Sequence, residues 1–235
     1  MVENYFARTE ALLGSEVLER MESTKVLLLG VGGVGSWCAE ALIRSGIGHL
    51  TMVDPDCVDP TNINRQLPAT TLTIGQPKVE VMRRRLLEIN PKADIVACQE
   101  RFCAETAECF NIYDYDFIID AIDSIQDKLE LILLCTKKVS TTHVTLPTLF
   151  SAMGAACKMD PTQVRVSEFW KIDGCPLAAT LRKRMRRSLR FPERKFQCVW
   201  SPEVIRGTNK GSMVHVTATV GMTLAGLVFN TVLSR

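Results

Sequence analysis

A short apolar run at residues 26–29 stops at Gly30, and Gly30, Gly32 and Gly35 then stand at G-x-G-x-x-G spacing before a helical stretch over 34–44. Strand, glycine turn and helix in that order constrain the fold more than any other feature of the chain. Glycines let the backbone turn tightly and come close to a phosphate, whose charge then faces free N–H groups and the positive end of the helix. Residues 50–53 read as the next strand and lead into Asp54, where a carboxylate can accept hydrogen bonds from a ribose. At this point the reading is a nucleotide: a dinucleotide is the motif's commoner ligand, and ATP remains open.

The residues that follow favour a triphosphate. Asn62, Asn64, Arg65 and Gln66 come after the second strand, and Lys78 closes the run Gly75-Gln-Pro-Lys78. Two cations at one site suit a departing pyrophosphate, whose growing charge Arg and Lys neutralise. Residues 116–121 read as a buried strand running into Asp120-Ala-Ile-Asp123-Ser124. A carboxylate leaving the carboxyl end of a parallel strand lies where ligands bind, and Asp123 there can hold magnesium on phosphates. Ser124 also fits a helix N-cap, so Asp123 can alternatively serve a helix end.

Strands alternating with helices along the chain predict an α/β fold with a doubly wound, mostly parallel sheet. Residues 10–21 have helical spacing and precede the first strand. An amphipathic helix is expected over 76–90, with Pro77 in its first turn. A strand over 93–98, helices over 104–111 and 125–138, and a further strand over 139–144 complete the alternation. At 235 residues and 46% apolar composition, one large domain with an ample core is expected. Nine cysteines without a Cys-x-x-Cys pair point to a reducing compartment and free thiols. Cys198 could react, but a buried thiol is the commoner case for a free cysteine.

The motifs G-x-G-G-x-G, Asp54-Pro-Asp56, Asn62-x-Asn-Arg65-Gln66, Gly75-Gln-Pro-Lys78 and Asp120-Ala-Ile-Asp123 together resemble the ThiF/MoeB/HesA adenylating enzymes. Within them, residues 44–48, 159–166 and 176–184 make the chain most similar to the tRNA threonylcarbamoyladenosine dehydratases. The resemblance covers nearly the whole chain and implies a single adenylating domain over 1–235. That domain has an N-terminal helix (1–24), a Rossmann-like ATP-binding core (25–144) and a C-terminal extension (145–235). It further implies that Gly33 and its neighbours, Asn62, Arg65 and Lys78 meet phosphates, that Asp54 meets the ribose, and that Asp123 and Ser124 meet metal and nucleotide. Arg8 resembles an arginine that such dimers insert into the partner's ATP site. The activity implied uses ATP and magnesium to adenylate the carboxylate of threonylcarbamoyladenosine in tRNA and cyclise it. The alternative is an enzyme that activates the C-terminus of a ubiquitin-like or sulfur-carrier protein. A cytoplasmic homodimer is expected, with a sulfur-transfer protein as a further partner. The missing Cys-x-x-Cys pairs disfavour the structural zinc of several such relatives.

Three stretches stand apart. Between Thr145 and Cys157 there is one glycine, Gly154, where the dehydratases usually carry a glycine-rich turn, so a differently shaped substrate-side loop is expected. The part between Cys198 and Met213 is also shorter. Residues 182–195 hold eight of the 28 basic residues and one acid, leaving 20 basic against 25 acidic elsewhere. With Phe191 and Trp200 available for stacking, this stretch is a candidate tRNA contact, and acidic lipid is its alternative. Residues 213–233 carry no formal charge and are long enough to span a bilayer. Their threonines, His215 and Asn230 favour instead a buried helix closing the core or a dimer interface.

Overall fold

The computed structural model describes residues 4–138, 146–204 and 211–235. In chain order the elements are α1 (Ala7–Leu13), α2 (Ser15–Ser23), β1 (Lys25–Leu29), α3 (Gly35–Ser45), β2 (His49–Val53), α4 (Lys78–Ile89) and β3 (Asp94–Cys98). They continue with β4 (Phe117–Asp120), α5 (Ile125–Thr136), β5 (Thr148–Ala152), β6 (Arg165–Glu168), α6 (Pro176–Ser188), β7 (Gln197–Trp200) and α7 (Val214–Leu233). One seven-stranded sheet runs in the order β3-β2-β1-β4-β5-β7-β6. Every pairing is parallel except β6 against β7.

The strand order reverses direction between β1 and β4, which places a crevice outside their carboxyl ends. β1 is buried on both faces from Val26 to Leu29, so it reads as a continuous apolar run without alternation. One core, with Val26, Leu28, Leu42 and Val228, lies under α3 and α7; the other, with Leu27, Ile118, Leu131 and Leu181, lies under α5 and α6. At about 25 cal/mol per Å² of apolar surface, these two layers supply the main drive for folding.

α7 crosses α3 closely at Gly221. A Cβ there would lie 2.4 Å from Val34 O and 2.9 Å from Cys38 N, so only glycine fits the crossing. α7 is long and apolar enough to cross a membrane, but in this fold it lays Val216, Val220, Leu224 and Val228 into the core. Met222 and Leu233 stay partly exposed on its other side.

Several expected elements come out differently. The N-terminal helix breaks at Gly14 into α1 and α2, and α1 has no buried residue to hold it in line with α2. Residues 104–111 form only a 3-10 turn at Ala107–Phe110, because Asn111 takes a left-handed φ of 40°. The strand expected over 139–144 lies outside the described residues. The stretch expected to be a substrate-side loop contains β5, which pairs β4 on one side and β7 on the other. Burial of Leu149, Phe150, Ser151 and Ala152 in mid-sheet outweighs the turn signals of Pro147 and Gly154 that flank them.

Candidate active site

The turn after β1 is built from both ends. Gly30 has φ 91° and donates to Val53 O at 2.8 Å, which joins it to the end of β2. A Cβ on Gly30 would lie 2.6 Å from Ala121 O, and one on Gly35 would lie 1.8 Å from Gly30 O. The turn therefore closes only with glycine, and it closes against the turn that follows β4. No side chain caps the start of α3, leaving its first-turn dipole open to an anion.

Asp54 holds this turn in place. Its Oδ2 accepts from Val31 N at 2.6 Å and its Oδ1 from Asp56 N at 2.9 Å. Burial raises the Asp54 carboxyl above its ordinary range, while the charge of Lys78 and the two backbone donors pull it back. Lys78, the first residue of α4, is buried with Nζ 2.7 Å from Asp56 Oδ2 and 3.9 Å from Asp54 Oδ1. A buried ammonium held by two carboxylates at the mouth of a glycine turn has a hydrogen free for a phosphate oxygen.

The 3-10 turn Pro60–Asn62 presents the next group. Buried Asn62 accepts from Asp59 N through its Oδ1 at 3.2 Å, closing a capping box with the Asp59 side chain. Arg65 follows, with Nη1 donating to Thr61 O and to Asn64 Oδ1, both at 2.9 Å. Its stem lies over the glycine turn: a Cβ on Gly33 would sit 3.2 Å from Arg65 Cγ. Trp37 Nε1 donates to Arg65 O at 3.1 Å, tying the loop to α3. Gln66 is buried beside Gly32, its Nε2 3.8 Å from where a Cβ would stand, and its Oε1 has no hydrogen-bond partner. An amide oxygen buried without a donor is the kind of atom that a ligand satisfies.

On the β4 side, Ser124 is the N-cap of α5, its Oγ accepting from Asp127 N at 3.5 Å. Asp123 just before it is exposed. No group of three or more His, Cys, Asp or Glu able to hold a metal ion exists among the described residues. A magnesium ion at Asp123 would therefore need phosphate oxygens to complete its shell, the usual arrangement for that ion.

The structure brings Gly30, Gly32, Gly33, Gly35, Asp54, Asn62, Arg65, Gln66 and Lys78 around one turn, and packs the turn before Asp123 and Ser124 against it. Arg8 lies elsewhere. It is exposed on α1, and its neighbour Phe6 approaches Gly46, at the end of α3 remote from the glycine turn. Arg8 cannot reach the site of its own chain.

Sequence reasoning missed the group beneath Asp123. Lys128 is fully buried and donates to Asp120 Oδ2 at 2.7 Å and to Ala152 O at 2.9 Å. Ser151 Oγ donates to the same Asp120 oxygen at 2.6 Å, while Asp120 Oδ1 accepts from Ile122 N at 3.1 Å. This network fixes the carboxyl ends of β4 and β5 and the turn leading to Asp123. Its signal was present: Lys128 stands four residues before Ile132 and seven before Cys135, a cation on the core face of an otherwise apolar helix stripe.

Cys198 is buried on β7, and that burial pushes its thiol well above the ordinary range despite the nearby Lys128 charge. That shift disfavours the thiolate that an acyl transfer would need. Trp200, expected to be free for stacking, is also buried, with Nε1 donating to Ser167 Oγ at 2.7 Å.

A ThiF family model matches residues 6–233. The tRNA threonylcarbamoyladenosine dehydratase of Bacillus subtilis (strain 168) is 43% identical over 182 residues, 77% of this chain and 69% of that protein. The protein of the same name from Haemophilus influenzae is 38% identical over 201 residues, 83% of this chain and 74% of its own length. The crystal structure of E. coli tRNA N6-threonylcarbamoyladenosine dehydratase, TcdA, in complex with ATP superposes with a TM-score of 0.89 at 33% identity. The match covers 98% of this chain and 94% of that one.

Proposed function

The chain belongs to the ThiF family, and from that premise we propose that it is an ATP-dependent tRNA threonylcarbamoyladenosine dehydratase. The observation that carries this reading is the similarity, along most of the chain, to dehydratases of that name, one of them crystallised with ATP. The dehydratase reading is better supported than activation of a carrier protein's C-terminus.

A carboxylate is a poor electrophile at neutral pH, so water cannot be removed from it directly. In the first step an oxygen of the threonyl carboxylate attacks the α-phosphorus of ATP, the bond to the β-phosphate oxygen breaks, and pyrophosphate leaves. In the second the carbamoyl oxygen attacks the acyl carbon, the acyl–adenylate bond breaks, and AMP departs carrying the former carboxylate oxygen. A carbamoyl nitrogen releases one proton, so the nucleoside loses the elements of water. The attacking group is already tethered to its target, which makes a protein nucleophile unnecessary.

We assign the glycine turn and the start of α3 to the phosphates, Asp54 to the ribose, and Asn62, Arg65 and Lys78 to the phosphate chain. Arg65 and Lys78 would bear the charge of the departing pyrophosphate, each worth a few kcal/mol by analogy with oxyanion donors. The exposed Asp123 carboxylate, beside Ser124, would hold magnesium, which supplies charge neutralisation on the phosphates when bound. Gln66, buried with a free oxygen, would complete the nucleotide's surroundings. Arg8 would act in the site of a second copy, which makes the working unit a homodimer. The whole chain would then be a single adenylating domain, cytoplasmic because its substrate is tRNA. A sulfur-transfer protein remains a partner to test by co-purification.

The deciding experiment is mass spectrometry of tRNA nucleosides after incubation with the protein and Mg-ATP. The threonylcarbamoyl nucleoside should lose one water with AMP formed in equal amount. An unchanged nucleoside, or AMP formed only with a small carrier protein, would refute the assignment.

A further inference from the structure

Resting on tRNA as the substrate, the geometry points to a second RNA subsite, at the opposite end of the sheet from the nucleotide crevice. We infer that Trp170 and Phe191 form a stacking platform for an unpaired tRNA base, with Lys171 and Lys195 holding the adjoining phosphate.

The location follows from the topology. β6 runs antiparallel to β7 with Glu168 opposite Gln197, so residues 169–171 sit at the amino end of the parallel strands. α6 starts near the crevice, where Leu177 Cβ approaches Gly154, and carries the chain away from it. Its 13 residues correspond to about 20 Å at 1.5 Å per residue.

The aromatic pair is exposed and braced. Trp170 and Phe191 are 42% and 44% exposed, with ring centroids 6.4 Å apart. Behind them Phe169 is fully buried, edge-on to Trp170 at 5.2 Å and stacked on Phe196 at 5.1 Å. Arg182 lies over the Phe169 ring at 5.9 Å and donates to Ile172 O at 2.8 Å, fixing the 3-10 turn that carries Trp170. Rigid aromatic faces open to solvent suit a base, every type of which has a π-face.

The charge beside them is available. Lys171 and Lys195 line a depression of about 390 Å³ together with Glu168, Arg194 and Gln197. Neither lysine makes an ion pair among the described residues. Lys183, Arg186 and Arg187 on the exposed side of α6 continue the cation track toward the crevice.

The test uses the full chain and substrate tRNA. In Trp170→Ala/Phe191→Ala, the Kd and KM for tRNA should rise roughly ten-fold, within the range that base stacking supplies. Trp170→Phe should keep most of the affinity. In Lys171→Glu/Lys195→Glu, tRNA binding should weaken and its salt dependence flatten by about 0.7 log units per cation lost. In all of them the ATP-induced rise in melting temperature and the kcat at saturating tRNA should match wild type. If the alanine pair fails to fold, the lysine pair decides. Wild-type tRNA affinity in the charge-reversed protein, or loss only of binding to phosphatidylserine vesicles, overturns the subsite. A wild-type protein that neither binds nor converts tRNA overturns the dehydratase reading itself; turnover that the variants leave untouched removes only the platform.

Discussion

Strands β3, β2, β1 and β4 share one sheet with β5, β7 and β6, yet the polar residues of the two groups meet different ends. In the first group, Asp54, Lys78, Arg65 and Gln66 collect around the glycine turn, where Gln66 keeps an unpaired amide oxygen. In the second, many cations are bound to the protein itself. Arg182 holds two backbone carbonyls, Arg184 donates to Gln126, Arg190 pairs with Glu130, and Arg194 donates to Cys135 O and Pro147 O. Sequence density of charge thus overstates the surface left for a partner. Four of the eight basic residues in 182–195, namely Lys183, Arg186, Arg187 and Lys195, remain for one.

The largest effect should come from the seam between the two groups. Lys128→Met leaves Asp120 buried without its ammonium and should cost about 3–5 kcal/mol in urea denaturation. Adding Asp120→Leu should recover most of that loss. If the single substitution is silent, the two groups of strands are not coupled through this pair.

Next is the chemistry itself. Arg65→Ala should lower AMP formation with tRNA by about 10²–10³-fold, and its melting temperature should stay within a degree or two of wild type. Charge reversal at Lys183 and Arg186 should instead raise KM for tRNA and leave kcat alone. Kinetics in which both variants behave alike would erase the division of labour between the groups.

Gly221→Ala should destabilise by about 1–3 kcal/mol, since its Cβ must push α7 off α3. It should also weaken ATP binding, read as a smaller ATP-induced melting shift. The smallest effect is a null one in stability: iodoacetamide should label Cys57 and Cys109 in the native protein, while Cys198 reacts only after unfolding. Rapid labelling of Cys198 would reopen an acyl-transfer route through that thiol.

The first group was legible in the sequence because its signals are local. Glycine spacing and the acid after β2 act within a few residues of a strand end, the cations follow in short motifs of their own, and the turn forms where those residues say. β5 was illegible for the opposite reason. Thr148–Ala152 is a strand because β4 and β7 flank it, and neither Pro147 before it nor Gly154 after it announces that. Of the two aromatics expected at the basic stretch, Phe191 is exposed, but Trp200 is buried at the end of β7, and the 3-10 turn at Phe169–Lys171 exposes Trp170 instead. Asp120 was read as part of a motif, and its partner Lys128 was hidden because a buried cation breaks the rule by which helix faces are read.

The contact between Gly33 and Thr217 has a consequence for synthesis. The glycine turn is translated well before α7, whose Thr217 Cβ lies 3.4 Å from where a Cβ of Gly33 would stand. A ribosome-bound chain that already contains β1 through α5 therefore holds every candidate nucleotide motif and still lacks the helix that packs beside Gly33. ATP affinity should then rise as α7 docks, and a chain cut short before α7 should bind ATP more weakly.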